Sequence, residues 1–212
     1  SLSAGELVGR IYDELSKQYK DLNNKHSQRS INQLCVRIVF CLYAEDAGIF
    51  GKKNMFHDYL EQFSSREIRR ALIRLFKVLD TKEEDRDPYL ADDDEQLAAF
   101  PYCNGGMFSD ENIEIPPFTE ELRNLLLRKA SDEFDWSEIS PTVFGAVFES
   151  TLNPETRRKG GMHYTSVENI HKLIDPLFLD DLKNELNEIK KTKQLATLKK
   201  KARAFQDKLA NL

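Results

Sequence analysis

Between Ser30 and Tyr43 the chain reads SINQLCVRIVFCLY, and the apolar residues Ile31, Leu34, Cys35, Ile38, Val39, Leu42 and Tyr43 recur at three- and four-residue steps. On a helix of about 3.6 residues per turn they cover more than half of the circumference, which predicts a central helix buried among other elements. Ser30 is placed to cap its start. Its end falls in YAEDAGIFG, where Gly48 suits a left-handed cap and Phe50 can fold back onto the core.

The flanking segments supply the neighbours that such a helix needs. SLSAGELVGRIYDELSKQY places Leu7, Ile11, Leu15 and Tyr19, or alternatively Val8, Tyr12 and Leu15, on one stripe of an amphipathic helix. MFHDYLEQF and SSREIRRALIRLFKVLDT read as two more helices, the second opened by Ser64 or Ser65 and turning Ile68, Leu72, Leu75, Phe76 and Leu79 inward. TEELRNLLLRKASDEF resumes a helix with Thr119 as cap and Leu122, Leu125 and Leu126 as core stripe. In DWSEISPTVFGAVFESTL, Pro141 stands in a first turn, where its missing N–H costs nothing, and Val143, Phe144, Val147, Phe148 and Leu152 face inward. The expected fold is mainly α: an irregular multi-helix domain with at most a short hairpin.

Between the helices, FPYCNGGMF carries a turn signal at Asn104 and Gly105 with apolar residues on both sides, which predicts a short hairpin or a buried loop pinned to the core. IEIPPF alternates like a strand but contains two prolines, so it is an extended connector or an edge strand. The acid-rich run DTKEEDRDPYLADDDEQ shows no apolar period and reads as an exposed loop, with no metal frame for Asp92 to Asp94. Glu45 and Asp46, which with Lys52 and Lys53 superficially supply the residue types of a nuclease, close a helix where negative charge opposes the dipole. They are expected to pair with an arginine or to cap a neighbour. Trp136 beside Ile139 reads as packing.

Charge narrows the function classes. A net charge of −5 and a pI near 5.5 exclude a protein that coats nucleic acid through bulk charge, so any DNA contact has to be local. The most basic helical face, Arg66, Arg69, Arg70, Arg74 and Lys77, is either a solvated face or a contact for a phosphate backbone or an acidic neighbour. Cys35, Cys41 and Cys103 form neither a disulfide framework nor a C-x-x-C site, and read as buried thiols in a reducing cytosol. No stretch reaches the ~18 apolar residues of a membrane helix, and the N-terminus lacks the blocks of a signal peptide, so a cytoplasmic location is expected.

The stretch RRKGGMHYTSVENIHKLIDPLFLDDL, residues 157–182, is organised differently. Thr165 to Glu168 satisfy a capping box, in which the threonine hydroxyl takes the N–H three residues on and the glutamate reaches back. Ile170, Leu173 and Ile174 follow as core positions, and Pro176 kinks or restarts the helix. Gly160 and Gly161 let the chain turn sharply into it, leaving helix-terminal amides free to meet a carboxylate or a phosphate. Structural punctuation alone would leave the same pattern.

RRKGGMHYTSVENIHKLIDPLF resembles motif X of the gamma-order amino-group DNA methyltransferases, a turn and helix lying just before the first strand of the S-adenosylmethionine fold. LCVRIVFCLYAEDAGIF, FPYCNGGMF and FGAVFESTLNPETRRKGG resemble, in the same order, the helical segment preceding the catalytic core in type IIG and type IIL restriction-modification enzymes. The resemblance implies that Tyr164, Thr165 and Ser166 line the wall near the methionine end of S-adenosylmethionine, with the helix amides facing its carboxylate. His163 stands where many members have an aromatic and Ser166 where many have proline, so the fine geometry of that pocket departs from the family pattern.

The Asp-Pro-Ala-Cys-Gly-x-Gly turn and the Asn-Pro-Pro-Tyr loop of the family are absent from these 212 residues. The expected organisation is a helical spacer over residues 1–152 and the start of a methyltransferase domain over 153–212, truncated before the cofactor-binding sheet and ending in helices that would pack on that missing α/β core. The parent would methylate the exocyclic amine of a flipped adenine, with cytosine as the second choice, and could also cleave DNA. This segment holds no catalytic residue and no metal ligand. It is expected to connect the nuclease and methyltransferase parts, to bind S-adenosylmethionine no tighter than millimolar by itself, and to touch the DNA backbone through Arg157, Arg158 and Lys159. Its partners would be DNA and the nuclease, methyltransferase and target-recognition domains in cis. The competing expectation is a free-standing helical protein-interaction adaptor that docks through the apolar face of residues 192–212.

Overall fold

The computed structural model describes residues 2–103 and 107–139. Apart from Ile139 they belong to one compact unit, Ser1–Glu138, while Ile139 begins the second, Ile139–Leu212. Among the described residues there is no strand, and the mainly α expectation holds.

Helix α1 (Ala4–Ser16) opens on a capping box between Ser3 and Glu6 and buries Leu7, Val8, Ile11 and Leu15. Helix α2 (Lys25–Asp46) is the central element: from Ile31 to Glu45 only Asn32, Gln33 and Val36 are not fully buried. It starts six residues earlier than its apolar pattern suggests, because Asn24 and not Ser30 is the cap, accepting the Ser27 N–H at 2.7 Å. Ser30 lies inside the helix, and its hydroxyl instead accepts the backbone N–H of Glu114 at 2.9 Å. The C-terminus behaves as read. Gly48 takes φ +78°, Ile49 N–H closes on Ala44 O at 2.9 Å, and Phe50 is buried.

Helices α3 (Met55–Glu61) and α4 (Ser65–Leu79) follow, and the Ser64 cap of α4 is completed by Glu67, whose carboxylate accepts the Ser64 N–H at 2.9 Å. The acid-rich run is exposed but not an irregular loop. It forms a 3₁₀ turn (Glu83–Asp85) and two short helices, α5 (Leu90–Asp93) and α6 (Glu95–Ala98). Two local features order it. Asp94 caps α6 through Leu97 N–H at 3.0 Å, and Arg86 donates to the carbonyls of Val78, Thr81 and Phe100 at 2.8–3.0 Å.

The residues that flank the turn of FPYCNGGMF are pinned on both sides. Cys103 N–H donates to Leu79 O at 2.7 Å, Phe100 packs edge-on against Phe50 and Tyr59, and Phe108 packs against Phe40 and Phe76. The turn residues 104–106 themselves lie outside the described residues. IEIPPF is an extended connector: its Ile115 carbonyl accepts from Arg69 Nε at 2.7 Å, and the preceding Glu114 carbonyl from the Tyr19 hydroxyl at 2.7 Å. Helix α7 (Glu120–Asn124), capped by Thr119, runs directly into wider π-type turns over Leu125–Asp132, as in the Glu133 N–H to Arg128 O bond at 3.0 Å. A 3₁₀ turn, Trp136–Glu138, then packs against α2. All three cysteines are buried, and none is in a disulfide.

Candidate functional site

Two polar arrangements stand out against this helical frame. The first lies where α2, α3 and the π-type turns meet. Asn54 precedes α3 in a left-handed conformation and offers its N-terminus no side-chain cap. Glu45, 0% exposed, provides one from outside: its Oε2 accepts the His57 N–H at 2.9 Å, and its Oε1 accepts the Ser131 hydroxyl at 2.7 Å. Asp46 accepts the Trp136 N–H at 2.8 Å, and the Trp136 indole N–H donates to Ala130 O at 2.8 Å. Trp136 is fully buried against Phe134, so its role is packing.

Both carboxylates therefore cap neighbours, one of the two roles expected for them, and neither pairs with an arginine among the described residues. Burial pushes the Glu45 carboxyl up to about 6, against the pull of its two hydrogen bonds, and burial likewise raises Asp46. Beside them His57 sits between Asp58 (Nδ1 to Oδ1, 3.0 Å) and Asp132 (Nε2 to Oδ1, 3.2 Å), while Arg128 neutralises Glu61 and Asp132 at 2.8 and 3.1 Å. Among the described residues no group of three His, Cys, Asp or Glu side chains is arranged to hold a metal ion. The seam is structural chemistry, and sequence pattern did not disclose it because its members are 12 to 90 residues apart.

Arg37 is a second buried polar group that the sequence pattern hides, standing among apolar residues of α2 at 2% exposure. Its guanidinium donates to the carbonyls of Met107 and Asp110, both at 2.9 Å, and lies 5.1 Å over the Phe76 ring. It fastens the end of the pinned turn to the central helix. The one sequence signal is a lone arginine within an otherwise apolar VRIVF run.

The second arrangement is the basic face of α4. Arg69 donates to Ile115 O at 2.7 Å, Arg74 lies 3.6 Å from Asp94, and Lys77 lies 3.5 Å from Glu111. Arg66 and Arg70 are exposed. An open groove of about 670 Å³ between α1 and α7, lined by Arg10, Asp13, Lys17 and Glu121 among others, already contains a Lys17–Glu14 pair at 2.7 Å. Tyr164, Thr165 and Ser166, the basic trio Arg157, Arg158 and Lys159, the division after residue 152 and the docking face of 192–212 all lie outside the described residues. No helix among the described residues is long and apolar enough to cross a membrane.

In this helical unit the interior carboxylates serve as caps, and its resemblance to known proteins is that of a spacer. Residues 29–108 match the family described as "MmeI, helicase spacer domain". DNA methyltransferase A of Bacillus subtilis (strain 168) is 35% identical over 184 residues, which are 85% of this chain and 20% of that protein. The type IIL restriction-modification enzyme MmeI, solved in complex with DNA, matches at TM-score 0.61 and 38% identity, covering 94% of this chain and 26% of the other. The chain is thus similar to type IIL restriction-modification enzymes over most of its own length, and residues 29–108 match their spacer. It spans about a fifth to a quarter of the length of the relatives it matches.

Proposed function

We propose that the chain is the connector of a DNA methyltransferase of restriction-modification type, joining nuclease and methyltransferase parts and holding no catalytic residue itself. The observation that carries this reading is a match to MmeI extending over 94% of the chain, well beyond the spacer at 29–108. Residues 1–152 serve as the spacer and 153–212 begin the methyltransferase domain. There Tyr164, Thr165 and Ser166 form one wall of the S-adenosylmethionine site, and the amides at the start of their helix meet the cofactor's carboxylate. Arg157, Arg158 and Lys159 contact the DNA backbone, fixing register without reading sequence. Bound there, S-adenosylmethionine supplies the methyl group, and the acceptor is the N6 amine of a flipped adenine.

One wall of a pocket cannot offset the entropic cost of association. The 212-residue chain should therefore bind S-adenosylmethionine no tighter than millimolar by calorimetry, whereas the protein expressed from its complete reading frame should bind it and lose affinity on Thr165→Ala. Micromolar binding by the 212-residue chain, or unchanged binding in the variant, would overturn the assignment. Mass spectrometry of nucleosides from methylated DNA decides the base: N6-methyladenine is expected, and a methylated cytosine refutes that part.

A further inference from the structure

The five basic residues on the outer face of α4 divide into two groups, and the division points to a ligand. Arg69 braces the 113–118 connector, and Arg74 and Lys77 have carboxylate neighbours in Asp94, the cap of α6, and Glu111. Arg66 and Arg70 remain exposed, and no hydrogen bond or ion pair joins them to another described residue. They stand four residues apart on one side of the helix, where like charges repel. Arg66 is also the second residue of α4, at the positive end of the helix dipole, where a cation is disfavoured. Glu67, the carboxylate between them, is committed to the Ser64 cap. Fold stability thus gains nothing local from two arginines in these positions, and an external anion would remove both penalties.

We infer that Arg66 and Arg70 form a phosphate-backbone contact, a sequence-independent DNA surface on the spacer and separate from Arg157 to Lys159. The proposal rests on the reading of the parent as a DNA-binding methyltransferase. The acidic α5–α6 run and Glu111 shield the C-terminal half of α4, so the contact is confined to its first two turns. Two guanidiniums about one helical turn apart can engage neighbouring phosphates of one strand, each bidentately. Such a contact sets affinity and salt dependence and reads no base.

The test compares the protein expressed from its complete reading frame with R66A/R70A and with the exposed-lysine control K20A. Binding to a labelled duplex is followed by fluorescence anisotropy between 50 and 200 mM salt, roughly the range over which phosphate contacts are read. Loss of two phosphate contacts lowers the slope of log K against log salt by about 1.8, so the affinity ratio between those salts shrinks ~12-fold. The weakening should be equal on unrelated sequences, with K20A unchanged. A double variant with the wild-type slope overturns the inference. So does one that keeps the slope but unfolds at a lower temperature in the intact protein, since this places the two arginines against an acidic protein surface. If the unmodified protein binds no DNA, the proposed function itself has failed, an outcome distinct from either.

Discussion

Replacing Glu45 by glutamine removes a buried charge while keeping the geometry that α3 depends on. The glutamine carbonyl can accept the His57 N–H, and its amide can donate to the Ser131 hydroxyl oxygen, which rotates from donor to acceptor. What disappears is the titration. Burial holds the Glu45 carboxyl at about 6 where an exposed glutamate sits at 4.5. A folded-state value raised above the unfolded one means that the native protein binds the proton more tightly. Glu45 therefore contributes full stability below about pH 4.5, and this contribution is lost as pH rises through about 6. A difference of this size corresponds to about 2 kcal/mol. Urea unfolding of the 212-residue chain at pH 4.5, 6.0 and 7.5 should show Glu45→Gln near wild type at the lowest pH and ahead by about 2 kcal/mol at the highest. The raised Asp46 carboxyl titrates in both proteins with the same sign, so the comparison reads chiefly Glu45. Glu45→Ala leaves the His57 N–H and the Ser131 hydroxyl without partners, and should cost roughly 3 kcal/mol or more at every pH. If Glu45→Gln keeps the wild-type pH slope, or destabilises as much as alanine, Glu45 is not the ionising cap described here.

Arg37→Met removes the donors to Met107 and Asp110 and should cost about 3 kcal/mol in denaturant unfolding, with faster amide exchange at Asn112 to Glu114. Asn24→Ala deletes the cap of α2 and should cost about 1 kcal/mol, while Ser30→Ala should leave the helix start intact and instead loosen the Glu114 N–H. The same chemical-denaturation assay reads both, and a larger loss of helicity from Ser30→Ala than from Asn24→Ala would contradict the assigned cap.

The amino-acid sequence by itself determined the class of fold, the buried position of the helix around Ile31 to Tyr43, and its stop at Gly48. It also determined the cap at Thr119, narrowed that of α4 to Ser64 or Ser65, and marked Phe100 and Phe108 as apolar positions flanking a turn. Each depends on residues within a few positions of one another, so a 3.6-residue period or a capping pattern is enough to show it. The resemblance to restriction-modification enzymes was legible for a related reason: short motifs in a fixed order can be read without any knowledge of packing. The readings of Tyr164 to Ser166 and Arg157 to Lys159 rest on those motifs.

Only the tertiary structure decided which polar groups do what. Nothing local distinguishes Asn24 from Ser30 as the cap, because the choice depends on Glu114, 84 residues from Ser30, taking the serine hydroxyl. Glu45 and Asp46 could be read as caps, but their partners at His57, Ser131 and Trp136 come from three other places in the chain. The acid-rich run looked featureless because Arg86, the residue that orders it, bonds to backbone carbonyls, which carry no sequence signal. On α4 five basic residues look alike in sequence, and packing alone commits three of them to the fold and leaves Arg66 and Arg70 to solvent. Apolar periodicity is a property of one element and can be read from it, whereas a hydrogen bond needs two partners whose meeting is settled only when the elements pack.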